Sequence, residues 1–170
     1  MLAASALLSF ALAQAAERRP TVVGAVSWLV IVGLLLTLID WSCHRLPHRV
    51  VGTLLGGGTA QFGLTAFVER DGGPLVRAGA AGAVVLAATM TISLASPSGW
   101  GAGDVTLSTT IAFFLGWFSW WHVFAGFFLA LLLGVVTFGV LRMRRVYRRD
   151  LQIPLGPALV FAAVCTILIM

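Results

Sequence analysis

A chain of 170 residues that is 59% hydrophobic and only 10% charged, with a mean hydropathy of +1.00, is too apolar for a water-soluble domain. The net charge of +5 comes from eleven arginines and no lysine, set almost entirely in the gaps between apolar runs; this placement reads as membrane topology and speaks against nucleic-acid binding. Cys43 and Cys165 stand far apart without CxxC spacing, which indicates neither a zinc site nor a disulfide framework.

A bilayer core about 30 Å thick takes roughly 20 apolar residues per helix. The expected fold is therefore all-α: a polytopic transmembrane helix bundle of six to seven spans, forming one membrane domain over residues 1–170. Residues 1–16 are apolar but short, and Ala13-Gln14-Ala15 resembles a small-residue cleavage site. They read either as a first span or as a signal-like segment, and the missing positive charge ahead of the apolar stretch favours the retained span.

Thr21 to Ile39 is uninterrupted and ends on Asp40. The next runs are Val50 to Val68, which contains Gly56-Gly57-Gly58, and Pro74 to Ala95, where Arg77 is expected to snorkel to the headgroups. From Val105 to Leu141 the chain is apolar for 37 residues, the length of two spans. Their break is expected near Gly116 to His122, a GWFSWWH stretch with the aromatic character of a membrane interface. The last run, Ile153 to Met170, opens on Ile-Pro-Leu-Gly-Pro, where first-turn prolines are tolerated.

Asp40 closes one run and Asp104 opens another, with two runs between them. Two crossings return the chain to the face it left, so both aspartates are expected at one side of the bilayer. Two further crossings lead to Arg142, Arg144, Arg145, Arg148 and Arg149 on that side. With Arg45 and Arg49 that face holds seven arginines against four (Arg18, Arg19, Arg70 and Arg77) on the other, which makes it cytoplasmic by the positive-inside rule. The arginine cluster is read as a topology anchor rather than a site for anionic lipid.

A carboxylate at membrane depth costs up to about 2.5–3.5 kcal/mol, so such residues usually carry function. Glu17, Glu69, Asp71 and Asp150 sit in polar loops near arginines; Asp40 and Asp104 do not. Two carboxyls brought together cannot readily ionise together and share a proton. One can then activate water while its protonated partner polarises a carbonyl, without metal, cofactor or covalent intermediate. The only histidines, His44, His48 and His122, have no evident serine or cysteine partner in the sequence. Gly99, Gly101 and Gly103 lead into Asp104 and permit close approach of an extended substrate. The plainer alternative is a glycine-rich loop with Asp104 as a helix N-cap. A metal site from Asp40, His44 and His48, spaced i, i+4, i+8, is disfavoured because Pro47 interrupts that helix turn.

These residues resemble the type IV prepilin peptidases and the related preflagellin peptidases, the GxGD membrane aspartic proteases. Asp40 followed by Leu46-Pro47 is similar to the family's helix-ending aspartate and later Leu-Pro. Gly101-Ala102-Gly103-Asp104-Val105-Thr106-Leu107 resembles GxGDxKL, and Ile153-Pro154-Leu155-Gly156-Pro157 resembles the IPxGP that opens the last helix. The likeness spans residues 21–170, a prepilin-peptidase-like helix bundle of the short form without a methyltransferase region. It implies cleavage of the basic leader of prepilin-like protein substrates at the cytoplasmic membrane face. Asp40 and Asp104 would be the catalytic pair, Gly101, Gly103 and Thr106 the active-site loop, and Leu46, Pro47 and His48 substrate-proximal. His48 stands where the family has an aspartate, and Thr106 where it has lysine. The competing readings are a degenerate peptidase homologue and a small transporter or assembly factor with a buried acidic pair. If the arginine cluster is an anchor, replacing Arg144 and Arg145 with glutamine will disturb orientation more than activity, as read by reporter fusions to the loops.

Overall fold

The computed structural model describes residues 20–43, 48–95, 101–143 and 155–169, and nearly all of them are helical. A single 3-10 turn, Pro20–Val22, leads into α1 (Val23–Cys43). The chain continues through α2 (His48–Glu69), α3 (Gly73–Ala95), α4 (Ala102–Phe118), α5 (Trp120–Met143) and α6 (Leu155–Ile169). The predominance of helix follows from composition: in hydrocarbon each backbone amide must find its partner within the segment, and a helix does this. The chain is a membrane protein by these helices. Three stretches are long and apolar enough to cross a bilayer, Val23–Asp40, Gly73–Ala95 and Trp120–Val140. Gly156–Ile169 is apolar but shorter. The expected six to seven spans are thus not matched helix for helix, because α2 is diluted by glycine, threonine and glutamine and α4 has only 17 residues. The signal-like segment at residues 1–16 lies outside the described residues.

The helix α4 is the hub, packing against α2, α3, α5 and α6, while α1 lies against α2 and α6. Its buried residues run from Val105, Leu107 and Ser108 to every position from Thr110 to Trp117. By contrast α1 buries one stripe, Ala25, Leu29, Val32 and Leu36, continuing from Val22 of the 3-10 turn, and turns Ile31, Leu34, Leu35 and Leu38 outward. Outward apolar side chains such as Phe67, Leu94, Phe124, Phe128 and Leu131 suit a lipid surround and would be a liability in water.

Small residues set how closely the helices approach. A Cβ on Gly116 of α4 would fall 2.6 Å from the Ala81 Cβ and 3.0 Å from the Ala78 Cα of α3. The glycine run in α2 has a packing purpose: Gly57 makes room for the Trp28 indole and Gly58 for the Phe114 ring. Next to them Phe62 stacks on Trp117 with ring centroids 4.4 Å apart and meets Phe114 edge-on at 5.3 Å. Trp117 is therefore a core residue, 2% exposed, rather than an interfacial one, whereas Trp121 is 74% exposed. The aromatic GWFSWWH stretch divides this way because the helix break falls at Ser119, inside the expected window.

Ser119 is extended (φ −171°, ψ 169°) and serves two helices, its N–H donating to the Leu115 carbonyl of α4 and its Oγ accepting from the His122 N–H of α5. The α2–α3 reversal is similarly tight: Arg70 takes a positive φ of 54° and the Asp71 N–H reaches back to the Ala66 carbonyl at 3.1 Å. The Asp71 carboxylate then accepts from the Gly73 N–H at 2.9 Å.

Arg77 departs from expectation. Instead of snorkelling to headgroups, its guanidinium donates to the Gly116, Trp117 and Phe118 carbonyls. These are last-turn carbonyls with no intrahelical partner, at the negative end of the helix dipole, so a fixed cation is well placed there. Arg77→Ala is expected to lower stability by about 1.5–3 kcal/mol, the range for charge-assisted hydrogen bonds. Arg77→Lys should restore only part, because an ammonium lacks the fork. The melting temperature in detergent checks both.

Candidate active site

Asp40 occupies the position after Leu36 in the buried stripe of α1, and this register carries its carboxyl into the bundle. It is 6% exposed, whereas Leu38, on the other face, is 58% exposed. The helix therefore presents a carboxyl where it has presented valine and leucine along its length.

Asp104 reaches the same end of the bundle from α4. The N-cap of that helix is Gly101, extended at φ −73° and ψ 145°, so Asp104 is not the N-cap but the third residue within the helix. Its own N–H donates to the Gly101 carbonyl at 3.0 Å, and the Gly101 N–H returns a hydrogen bond to its carboxyl. This reciprocal pairing holds the side chain at the mouth of the helix, where the dipole favours an anion. A Cβ on Gly101 would stand 3.7 Å from Asp104 Oδ2. The Asp40 and Asp104 carboxyls are close enough to interact electrostatically, although 64 positions separate them in sequence (104 minus 40).

A third element closes the site. Gly156, at the start of α6, lies against Asp40: a Cβ there would fall 2.7 Å from Asp40 Oδ2 and 3.6 Å from Leu107 Cδ2. The glycine allows α6 to pack directly over a carboxyl. It carried no site role in the sequence reading beyond the IPLGP likeness, and the only available signal was a glycine one residue before a helix-opening proline.

The other sequence candidates are distributed differently. Gly103 is in the first turn of α4, half-buried. Thr106, two positions beyond Asp104 and hence on the far side of the helix, turns its hydroxyl back to the Gly103 carbonyl at 2.9 Å and the Ala102 carbonyl at 3.3 Å. It satisfies itself locally and does not join the carboxyl pair. His48 opens α2 and is exposed. Leu46 and Pro47, like His44, lie outside the described residues. Among the described residues a histidine does meet a serine: the His122 Nδ1 stands 2.7 Å from Ser119 Oγ. That pair, unforeseen from sequence, belongs to the α4–α5 junction, at the end of α4 opposite Asp104.

The molecule is thus a helical membrane protein whose bundle brings two aspartates from different helices to one end, beneath a glycine of a third. Residues 26–141, more than half of the chain, match the sequence model of the type IV leader peptidase family. The chain belongs to that family of peptidases, and the matched region contains both aspartates. No curated protein and no solved structure gives a match.

Because a methyl group on Gly156 would collide with Asp40, Gly156→Ala is expected to destabilise by about 1–3 kcal/mol through overpacking. In an Asp40→Ala background the same substitution should cost far less, and a thermal-melting cycle over the four proteins measures the difference.

Proposed function

We propose that this protein is a membrane-embedded aspartic endopeptidase that cleaves the basic leader of type IV prepilin-like substrates at the cytoplasmic face of the cell membrane. The observation that carries the reading is the convergence of Asp40 and Asp104 at one end of the bundle. Family membership supports the peptidase class, and the arginine bias of the loops supports the cytoplasmic face.

The chemistry needs only the chain's own carboxyls. The pair carries one proton between them. The ionised carboxylate takes a proton from a water molecule as its oxygen attacks the scissile carbonyl carbon, while the protonated partner donates a hydrogen bond to the carbonyl oxygen. The tetrahedral species collapses with breakage of the C–N bond. The amide nitrogen leaves with the proton the first carboxyl had taken, and the pair returns to its starting state. The extended Gly101 backbone at the helix mouth gives a substrate strand room to approach. With Thr106 self-bonded to its own helix, no cation stands at the position where the family's usual lysine would be, and the pair is set by Gly101 and Gly156 instead.

The alternative, a non-catalytic homologue that keeps the acidic pair for assembly or transport, predicts a different experiment. Co-expression with prepilin-like substrates should yield leader-shortened product on immunoblots. Asp40→Asn and Asp104→Asn should each reduce it by at least about 10³-fold, since the pair acts as a unit. Uncleaved substrate with the unsubstituted protein across several prepilins would exclude the peptidase reading.

A further inference from the structure

Hydroxyls within these helices mostly bond their own backbone, and others find a side-chain partner. Ser27, Thr37, Thr59, Thr109, Thr110 and Thr166 each donate to the carbonyl one turn earlier in their own helix. Ser108 does not: its side chain is fully buried, 0% exposed, and among the described residues its Oγ has no hydrogen-bond partner. An orphaned buried hydroxyl pays its desolvation without return, so such a group calls for a partner.

Its place on α4 says where the partner lies. On a helical wheel Ser108 is about 40° from Asp104 on one side, and Leu107 about 60° on the other. Leu107 approaches Gly156, the residue that covers Asp40. Ser108 is therefore one turn deeper than Asp104 on the face that carries the carboxyl pair. Its Cα–Cβ bond also tilts toward the helix N-terminus, which is the direction of Asp104. Cβ atoms at i and i+4 are about 5–6 Å apart, near enough for one water molecule to bridge the hydroxyl and the carboxyl. A buried water needs two to four polar partners, and Ser108 together with the carboxyls supplies them.

We propose that Ser108 is a positioning residue for the carboxyl pair, its hydroxyl holding one buried water against the inner side of the Asp104 carboxyl. The inference rests on the peptidase reading for its catalytic consequence but not for the contact itself. Thr106 cannot take this role, being self-bonded on the opposite side of the helix. Ser108 orients Asp104 from below while the Gly101 amide fixes it from above.

The test has two arms on the full-length protein in detergent. In the first, a melting cycle over the unsubstituted chain, Ser108→Ala, Asp104→Ala and the double variant should be non-additive by about 2 °C or more. Additive shifts, with Ser108→Ala raising the melting temperature equally in both backgrounds, would mean an orphan hydroxyl and overturn the proposal. In the second, Ser108→Ala should lower kcat for prepilin cleavage about tenfold, the value of one charge-assisted hydrogen bond, with KM within about twofold. Ser108→Thr, which keeps the hydroxyl, should recover most of the loss. An unchanged kcat in Ser108→Ala also overturns the proposal. If the unsubstituted protein cleaves no prepilin, the peptidase reading fails, while the melting cycle still decides whether Ser108 and Asp104 are coupled.

Discussion

At 17 residues α4 is about 26 Å long, less than the hydrocarbon thickness of a bilayer, and it carries serine, threonine and aspartate along a largely buried length. Such a helix is stable in a membrane only if protein, not lipid, surrounds it. The other helices supply that surround, and most of the molecule's particular features follow from it. Gly116 lets α3 press against α4 backbone to backbone, Gly58 admits Phe114, and Gly126 of α5 admits Leu115. Arg77 closes the lower end of the helix by bonding its last-turn carbonyls. At the upper end the same enclosure brings Asp40 and Gly156 to Asp104.

The site depends on this in a second way. Asp40 is not held by a loop; it is one more residue of a core stripe, placed by the 3.6-residue period that buries Leu29 and Leu36. Its position is as firm as that of the leucines. Asp104 is similarly held at a helix start, by its reciprocal pairing with the N-cap Gly101. Both acids of the candidate site thus belong to helices, and the backbone turns extended only at Gly101.

How much of this could be read in advance depended on the kind of signal. Apolar runs and their breaks are one-dimensional, so the helix order and the break at Ser119 were legible; span counting likewise put Asp40 and Asp104 on one side, and in the bundle they meet at one end. The family likeness rested on motifs at helix ends and was equally visible. Facing was not legible, because membrane helices are apolar on both sides and their periodicity does not separate core from lipid. Hence Trp117 could not be told from Trp121, nor Gly57 and Gly58 from helix-weakening glycines. Arg77 looked like a headgroup anchor because its partners are carbonyls, which have no sequence signature. Ser108 was silent for a related reason: in an apolar helix a lone serine usually bonds its own backbone, and only the failure to do so marks it.

The reversal between α2 and α3 bears on how the chain enters the membrane in the first place. Only Arg70, Asp71 and Gly72 separate the two helices, and their local hydrogen bonds need no other part of the protein. The more polar α2 is thus tethered, within three residues, to an α3 that is apolar enough to cross alone. A turn this short and self-contained favours entry of the two helices into the bilayer as one hairpin, the more apolar segment helping the more polar one.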